Sequence, residues 1–96
     1  MTSKQRAYLR GLANTIDAIF QIGKGGISDN LIKQLSDALE ARELIKISVL
    51  ETAPANSKAL GNEIAEATNS ELVQVVGNKI TLYRPKKKDS KIVLPD

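Results

Sequence analysis

Apolar residues recur along this chain at helical spacing, then at strand spacing, and the switches between the two predict seven elements. Tyr8, Leu9, Leu12, Ala13 and Ile16 follow Thr2 and Gln5, which have capping-box spacing, and predict a first helix over residues 3–16. Gly11 is the weak point in its middle. Residues 18–22 are a short run of β-formers that predicts a first strand. Ser28 is a good N-cap with Asp29 in the first turn behind it, and Leu31, Ile32, Leu35, Ala38 and Leu39 then mark a second helix to Arg42. Residues 44–50 alternate, with Ile45, Ile47 and Val49 on one face and Lys46 and Ser48 on the other, and predict a second strand. Turn chemistry over residues 52–57 leads into a third helix over 57–68, with Leu60, Ile64, Ala67 and Thr68 as its inner stripe. Residues 72–76 and 79–84 read as two strands joined by a Gly77-Asn78 hairpin, and Pro85 ends the last. The order α-β-α-β-α-β-β predicts an α/β fold, a compact two-layer domain with helices packed on a mixed four-stranded sheet. One domain is expected over residues 1–84. A basic, mobile tail is expected over 85–96, where Ile92-Val93-Leu94 is the stretch able to dock on the body.

Between the first strand and the second helix lies Ile22-Gly23-Lys24-Gly25-Gly26-Ile27-Ser28. Three glycines in four positions permit positive φ and close backbone approach, and Lys24 is the one long side chain among them. The helix that follows opens with unpartnered amides at the positive end of its dipole, which favours an anion. A phosphate-gripping loop is one reading, and a tight connection without a ligand is the other. Nucleotide-binding loops fit poorly. Gly25 stands where a Walker loop needs Ser or Thr, and Ser28 stands where a dinucleotide fingerprint needs Gly or Ala. The remaining anion is a polymer backbone.

The 96 residues include no cysteine and no histidine, which excludes disulfides, Cys/His zinc sites and imidazole bases. The start Met1-Thr2-Ser3-Lys4 carries no apolar signal segment and no run suits a membrane span, so a cytoplasmic protein is expected. The net charge of +3 conceals an asymmetry: Lys4, Arg6, Arg10, Lys24 and Lys33 make the first third basic, and Arg84, Lys86, Lys87, Lys88 and Lys91 make the end basic. The middle is acidic, with Asp37, Glu40, Glu43, Glu51, Glu63, Glu66 and Glu71. If the fold gathers both ends near the glycine loop, one face is basic and suited to nucleic acid. Tyr8, Phe20 and Tyr83 are the only aromatics, too few for a base-stacking sheet of the RRM type. The Gly-x-x-Gly spacing matches the loop of KH domains, but that loop joins two helices and this one follows a strand.

The segments Gln5-Arg6-Ala7-Tyr8-Leu9-Arg10, Gln21-Ile22-Gly23-Lys24-Gly25-Gly26, Ala38-Leu39-Glu40, Glu43-Leu44-Ile45-Lys46, Glu71-Leu72-Val73-Gln74 and Leu82-Tyr83-Arg84-Pro85 together resemble the CRM domain, the YhbY-like RNA-binding family. The resemblance runs from about Thr2 to Arg84. It implies RNA binding through the Gly-x-x-Gly loop, a fold similar to the C-terminal domain of translation initiation factor three, and no catalytic activity or cofactor. Free-standing bacterial members are associated with precursors of the large ribosomal subunit, and a short chain such as this one resembles those. The resemblance gives RNA-contacting roles to Gly23, Lys24, Gly25 and Gly26, and to Arg6 and Arg10. Lys4, Arg84, Lys86, Lys87 and Lys88 are expected to add attraction through their charge. The family usually has a histidine after the alanine at position 13, and this chain has Asn14.

The expected partner is therefore ribosomal RNA or its precursor, held by a monomer that binds neither membrane nor DNA. The alternative is a protein-interaction adaptor using an acidic helical face of Glu40, Glu43, Glu63 and Glu66. An enzyme would need a positioned carboxylate pair, and the sequence presents none.

Overall fold

The computed structural model describes residues 1–86, 90 and 92–95. Its elements are α1 (Ser3–Ala13), β1 (Phe20–Ile22), α2 (Asp29–Arg42), β2 (Leu44–Val49), α3 (Ser57–Thr68), β3 (Glu71–Val76) and β4 (Lys79–Tyr83), in the expected order. They build one four-stranded sheet in the order β1-β2-β4-β3. β1 pairs parallel with β2, and β4 runs antiparallel to both β2 and β3. The first three strands thus point the same way, and the end of the sheet where they finish is called here the upper end. Both crossovers, β1 to β2 and β2 to β3, step in the same direction across the sheet. A single handedness then puts α2 and α3 on the same face.

That face holds the larger core, where Leu35 and Leu39 of α2 and Leu60, Ile64 and Ala65 of α3 meet Ile22, Ile45, Ile47, Val49, Ile80 and Leu82. Ala65 is buried in α3, and Ala67 of the expected stripe is exposed. The opposite face carries a smaller cluster of Leu9, Leu44, Val73 and Tyr83, joined by Leu12, Ile16, Ile92 and Leu94. The expected two layers are thus completed by α1 and the C-terminal segment, which cover part of the second face.

Local chemistry explains the element ends. Gln5 N–H donates to Thr2 Oγ1 at 3.1 Å and Thr2 N–H to Gln5 Oε1 at 3.0 Å, the capping box expected for α1. α1 stops at Ala13, three residues short of the expectation, because its last carbonyls are taken by other donors. The Thr15 hydroxyl donates to Leu12 O at 2.7 Å and Lys46 Nζ to Ala13 O at 2.9 Å. The chain then tightens through Thr15 N–H to Leu12 O and Ile16 N–H to Ala13 O, which keeps Ile16 on the sheet side. β1 is shorter than expected, although Ile19 N–H still reaches Lys46 O at 3.0 Å. In β3 the register skips Val73, and Arg6 Nη1 donates to Leu72 O at 2.6 Å and Val73 O at 3.1 Å, where the irregular ladder leaves carbonyls open. Arg6 therefore fastens α1 to β3.

Candidate functional site

The upper end collects the glycine loop, the loop after β2, the N-termini of α2 and α3, and the Gly77-Asn78 hairpin. In open α/β sheets this end, beyond the carboxyl ends of the strands, is where ligands bind. Residues 23–26 form a tight turn closed by Gly26 N–H donating to Gly23 O at 2.9 Å. Its four positions do two different jobs. Gly26 has φ +65°, and a Cβ there would lie 2.9 Å from Pro54 Cγ, so both conformation and space demand glycine. A Cβ on Gly23 would sit 3.4 Å from Leu50 Cδ1 and 3.7 Å from Thr52 Oγ1. These two residues seat the turn on the 50–54 loop. Gly25 has nothing within 4 Å of a built Cβ, and Lys24 is exposed. They form the presented corner of the turn.

Among the described residues no backbone bond engages the N–H of Lys24 or Gly25, and Lys24 has no ion-pair partner. The N–H of Gly26 is occupied within the turn. Ser28 Oγ accepts from Leu31 N–H at 3.1 Å and Asn56 Oδ1 from Ala59 N–H at 2.8 Å, so each neighbouring helix keeps its first amides toward solvent. Exposed Lys24 thus stands just ahead of the N-terminus of α2, whose first turn also carries Asp29, and a lysine beside a helix start is a setting that attracts phosphate.

The other expected contact residues divide. Lys4 and Arg10 are exposed on α1, without an ion-pair partner among the described residues. The Arg6 guanidinium is occupied by β3 carbonyls. Arg84 lies at the lower end, where Nη1 donates to Thr68 O at 2.8 Å and Ser36 Oγ at 3.1 Å, and Nη2 to Ser36 O at 2.8 Å and Glu40 Oε2 at 3.3 Å. Lys86 is also at the lower end, its N–H bound to Glu43 Oε1 at 3.2 Å. Lys87 and Lys88 lie outside the described residues. The structure therefore brings the loop residues together at one end and leaves Arg84 and Lys86 at the other.

Charge is also divided between the faces. The α1 side carries Lys4, Arg6 and Arg10 on α1 and Lys46 and Lys79 on strands against Glu71 at its lower edge, whereas α2 and α3 carry Asp29, Asp37, Glu40, Glu63 and Glu66 against Lys33, Arg42 and Lys58. The sequence reads Lys46 only as part of the polar side of the second strand and Lys79 only as the start of the last strand, and neither is among the expected RNA contacts. Glu43 corrects the expected acidic surface: it is only 1% exposed, adopts φ 67° at the end of α2, and its carboxylate accepts from Lys86 N–H, the Ser90 hydroxyl and Ile92 N–H. It anchors the C-terminal segment. Burial, with the nearby Glu43, pushes the Tyr83 phenol above its ordinary pKa, so this ring stays neutral.

No helix among the described residues is long and apolar enough to cross a membrane, and no group of three or more acidic, cysteine or histidine residues there suits a metal ion. The family model described as the CRS1 / YhbY (CRM) domain matches residues 1–84. The chain is 45% identical over 95 residues to a Bacillus subtilis protein named as a probable RNA-binding protein, covering 99% of each. It is 30% identical to a Haemophilus influenzae protein named as an RNA-binding protein, covering 99% of this chain and 95% of that one. It also resembles the solution structure of a hypothetical protein from Staphylococcus aureus, with 55% identity, a TM-score of 0.83 and 99% of each chain covered.

Proposed function

The chain belongs to the CRS1/YhbY (CRM) domain family, and on that premise we propose that it is an RNA-binding protein that holds ribosomal RNA or its precursor during assembly of the large ribosomal subunit. The observation that carries this reading is the turn at 23–26, which offers the free N–H groups of Lys24 and Gly25 and one unpaired ammonium just ahead of α2. The amides and Lys24 Nζ hold a phosphate of the RNA, a contact that positions the backbone without reading a base. Gly23 and Gly26 act by seating the turn. Arg10 and Lys4 supply longer-range, salt-sensitive attraction. Arg6 and Arg84 serve the interface indirectly, as clamps that hold α1 and the lower end in place. Both bacterial relatives are named as RNA-binding proteins, which supports RNA as the partner. The ribosomal assignment follows from the resemblance to free-standing bacterial members.

Binding to large-subunit ribosomal RNA, with tRNA as competitor, tests the reading. Position 25 has room for a side chain and position 24 is exposed, so Lys24→Glu with Gly25→Asp keeps the fold while placing two carboxylates at the phosphate position. Competitor-resistant binding is expected in the wild type and is lost in the variant. Normal binding by a folded variant would overturn the loop as the grip.

A further inference from the structure

The α1 face of the sheet carries three rows of side chains, and α1 covers only part of them. Leu44 and Tyr83, paired across β2 and β4, form the lowest row and pack beneath Leu9. Alternation along the strands places two more rows above it on the same face. The middle row is Lys46, Thr81 and Gln74, and the upper row is Gln21, Ser48, Lys79 and Val76, each row following the register of the ladder. The upper row therefore crosses all four strands, a span of about 14 Å at the usual strand spacing. It ends in Gln21, two residues before the glycine turn.

These rows have a distinct chemistry. Lys46 Nζ donates to Ala13 O and to Ile16 O, and Lys79 Nζ to Ser48 Oγ at 2.7 Å, so both cations have neutral acceptors and no carboxylate among the described residues. The Thr81 hydroxyl, fully buried in the middle row, has no hydrogen-bond partner. Gln21 and Val76 are exposed, and Val76 keeps 61% of its surface open. Arg10, four positions on from Arg6, continues the flank of α1 that Arg6 ties to β3. The result is a shallow, cationic shelf on which Gln21 and Gln74 amides and the Lys46 and Lys79 ammonium groups reach the surface above the buried Ser48 and Thr81 hydroxyls, without an aromatic ring. Such a surface suits a sugar-phosphate backbone, whose phosphates meet the cations and whose 2′-hydroxyls meet the amides.

We propose that this shelf is a second RNA-contact surface, on which exposed Gln21 and half-buried Lys79, its ammonium held from below by the buried Ser48 hydroxyl, engage the backbone of the same RNA strand that the glycine turn holds. The proposal rests on the RNA-binding reading above and extends it from one phosphate grip to a track that runs along β1 and over the sheet. It also assigns the middle row a role beneath the track: Lys46 closes the end of α1 and adds its charge to the field above.

The test compares two variants on a fragment of large-subunit ribosomal RNA across a salt series. Lys79→Gln with Gln21→Glu alters the shelf alone, and its thermal unfolding should stay near wild type, because Gln21 is exposed and the Lys79 ammonium bonds only to a hydroxyl. The shelf variant is expected to bind roughly 3- to 10-fold more weakly, with a salt slope shallower by about 0.7–0.9, the share of one lost phosphate contact. Wild-type affinity and slope in that variant, with binding lost in the Lys24→Glu, Gly25→Asp protein, would overturn the shelf and leave the loop standing. Wild-type behaviour in both variants would overturn the shelf together with the RNA reading on which it rests.

Discussion

At the lower end of the sheet the Arg84 guanidinium is tied to Ser36, Thr68 and Glu40, and the Glu43 carboxylate accepts from Lys86, Ser90 and Ile92. At the upper end Lys24 stands exposed and the N–H groups beside it are free, with no carboxylate paired to Lys24 among the described residues. Both ends are rich in charge, and they use it differently. Below, charged groups are partly or fully buried with partners and hold the fold together. Above, they are left with water and contribute little to stability, which leaves them available to a partner. A residue's charge therefore says less about binding than whether another part of the protein already occupies it.

The two ends should separate cleanly under mutation. Glu43→Ala removes a buried acceptor from two backbone amides and a hydroxyl, and should lower the unfolding free energy in urea by about 3 kcal/mol. RNA affinity of the folded protein should change little, and a large loss of affinity at full foldedness would blur the division between the ends. Gly26→Ala comes next. Its positive φ and the 2.9 Å approach to Pro54 should cost about 1–3 kcal/mol, with a lower Tm and weaker binding together as the turn is displaced. The Lys24→Glu, Gly25→Asp protein should move stability least, by less than about 0.5 kcal/mol, while binding suffers most. Within one turn, then, neighbouring positions should separate folding from function.

Much of this was legible in the sequence. The capping box of Thr2 and Gln5, the Ser28 N-cap and the Gly77-Asn78 hairpin are local signals, and each appears where its chemistry placed it. The glycine turn was legible as a motif, but its division of labour was not, because only contact with Leu50, Thr52 and Pro54 distinguishes Gly23 and Gly26 from Gly25. Arg6 and Arg84 looked like surface charge. Their partners lie 66 and 48 positions away in the chain for Leu72 and Ser36, beyond the reach of periodicity. Glu43 was misplaced for a similar reason: a carboxylate after a helix reads as exposed until the C-terminal segment folds over it. The row of Gln21, Ser48 and Lys79 also needed strand register, which the hydrophobic pattern alone does not supply.

The most direct test of the contrast between the ends is an NMR titration of backbone amides with a large-subunit ribosomal RNA fragment. The account predicts the largest shifts at Lys24 and Gly25, smaller ones along Gln21, Ser48 and Lys79, and almost none at Arg84 and Lys86. Shifts concentrated at Arg84 and Lys86, with Lys24 and Gly25 undisturbed, would place the RNA at the wrong end of the sheet and contradict the account.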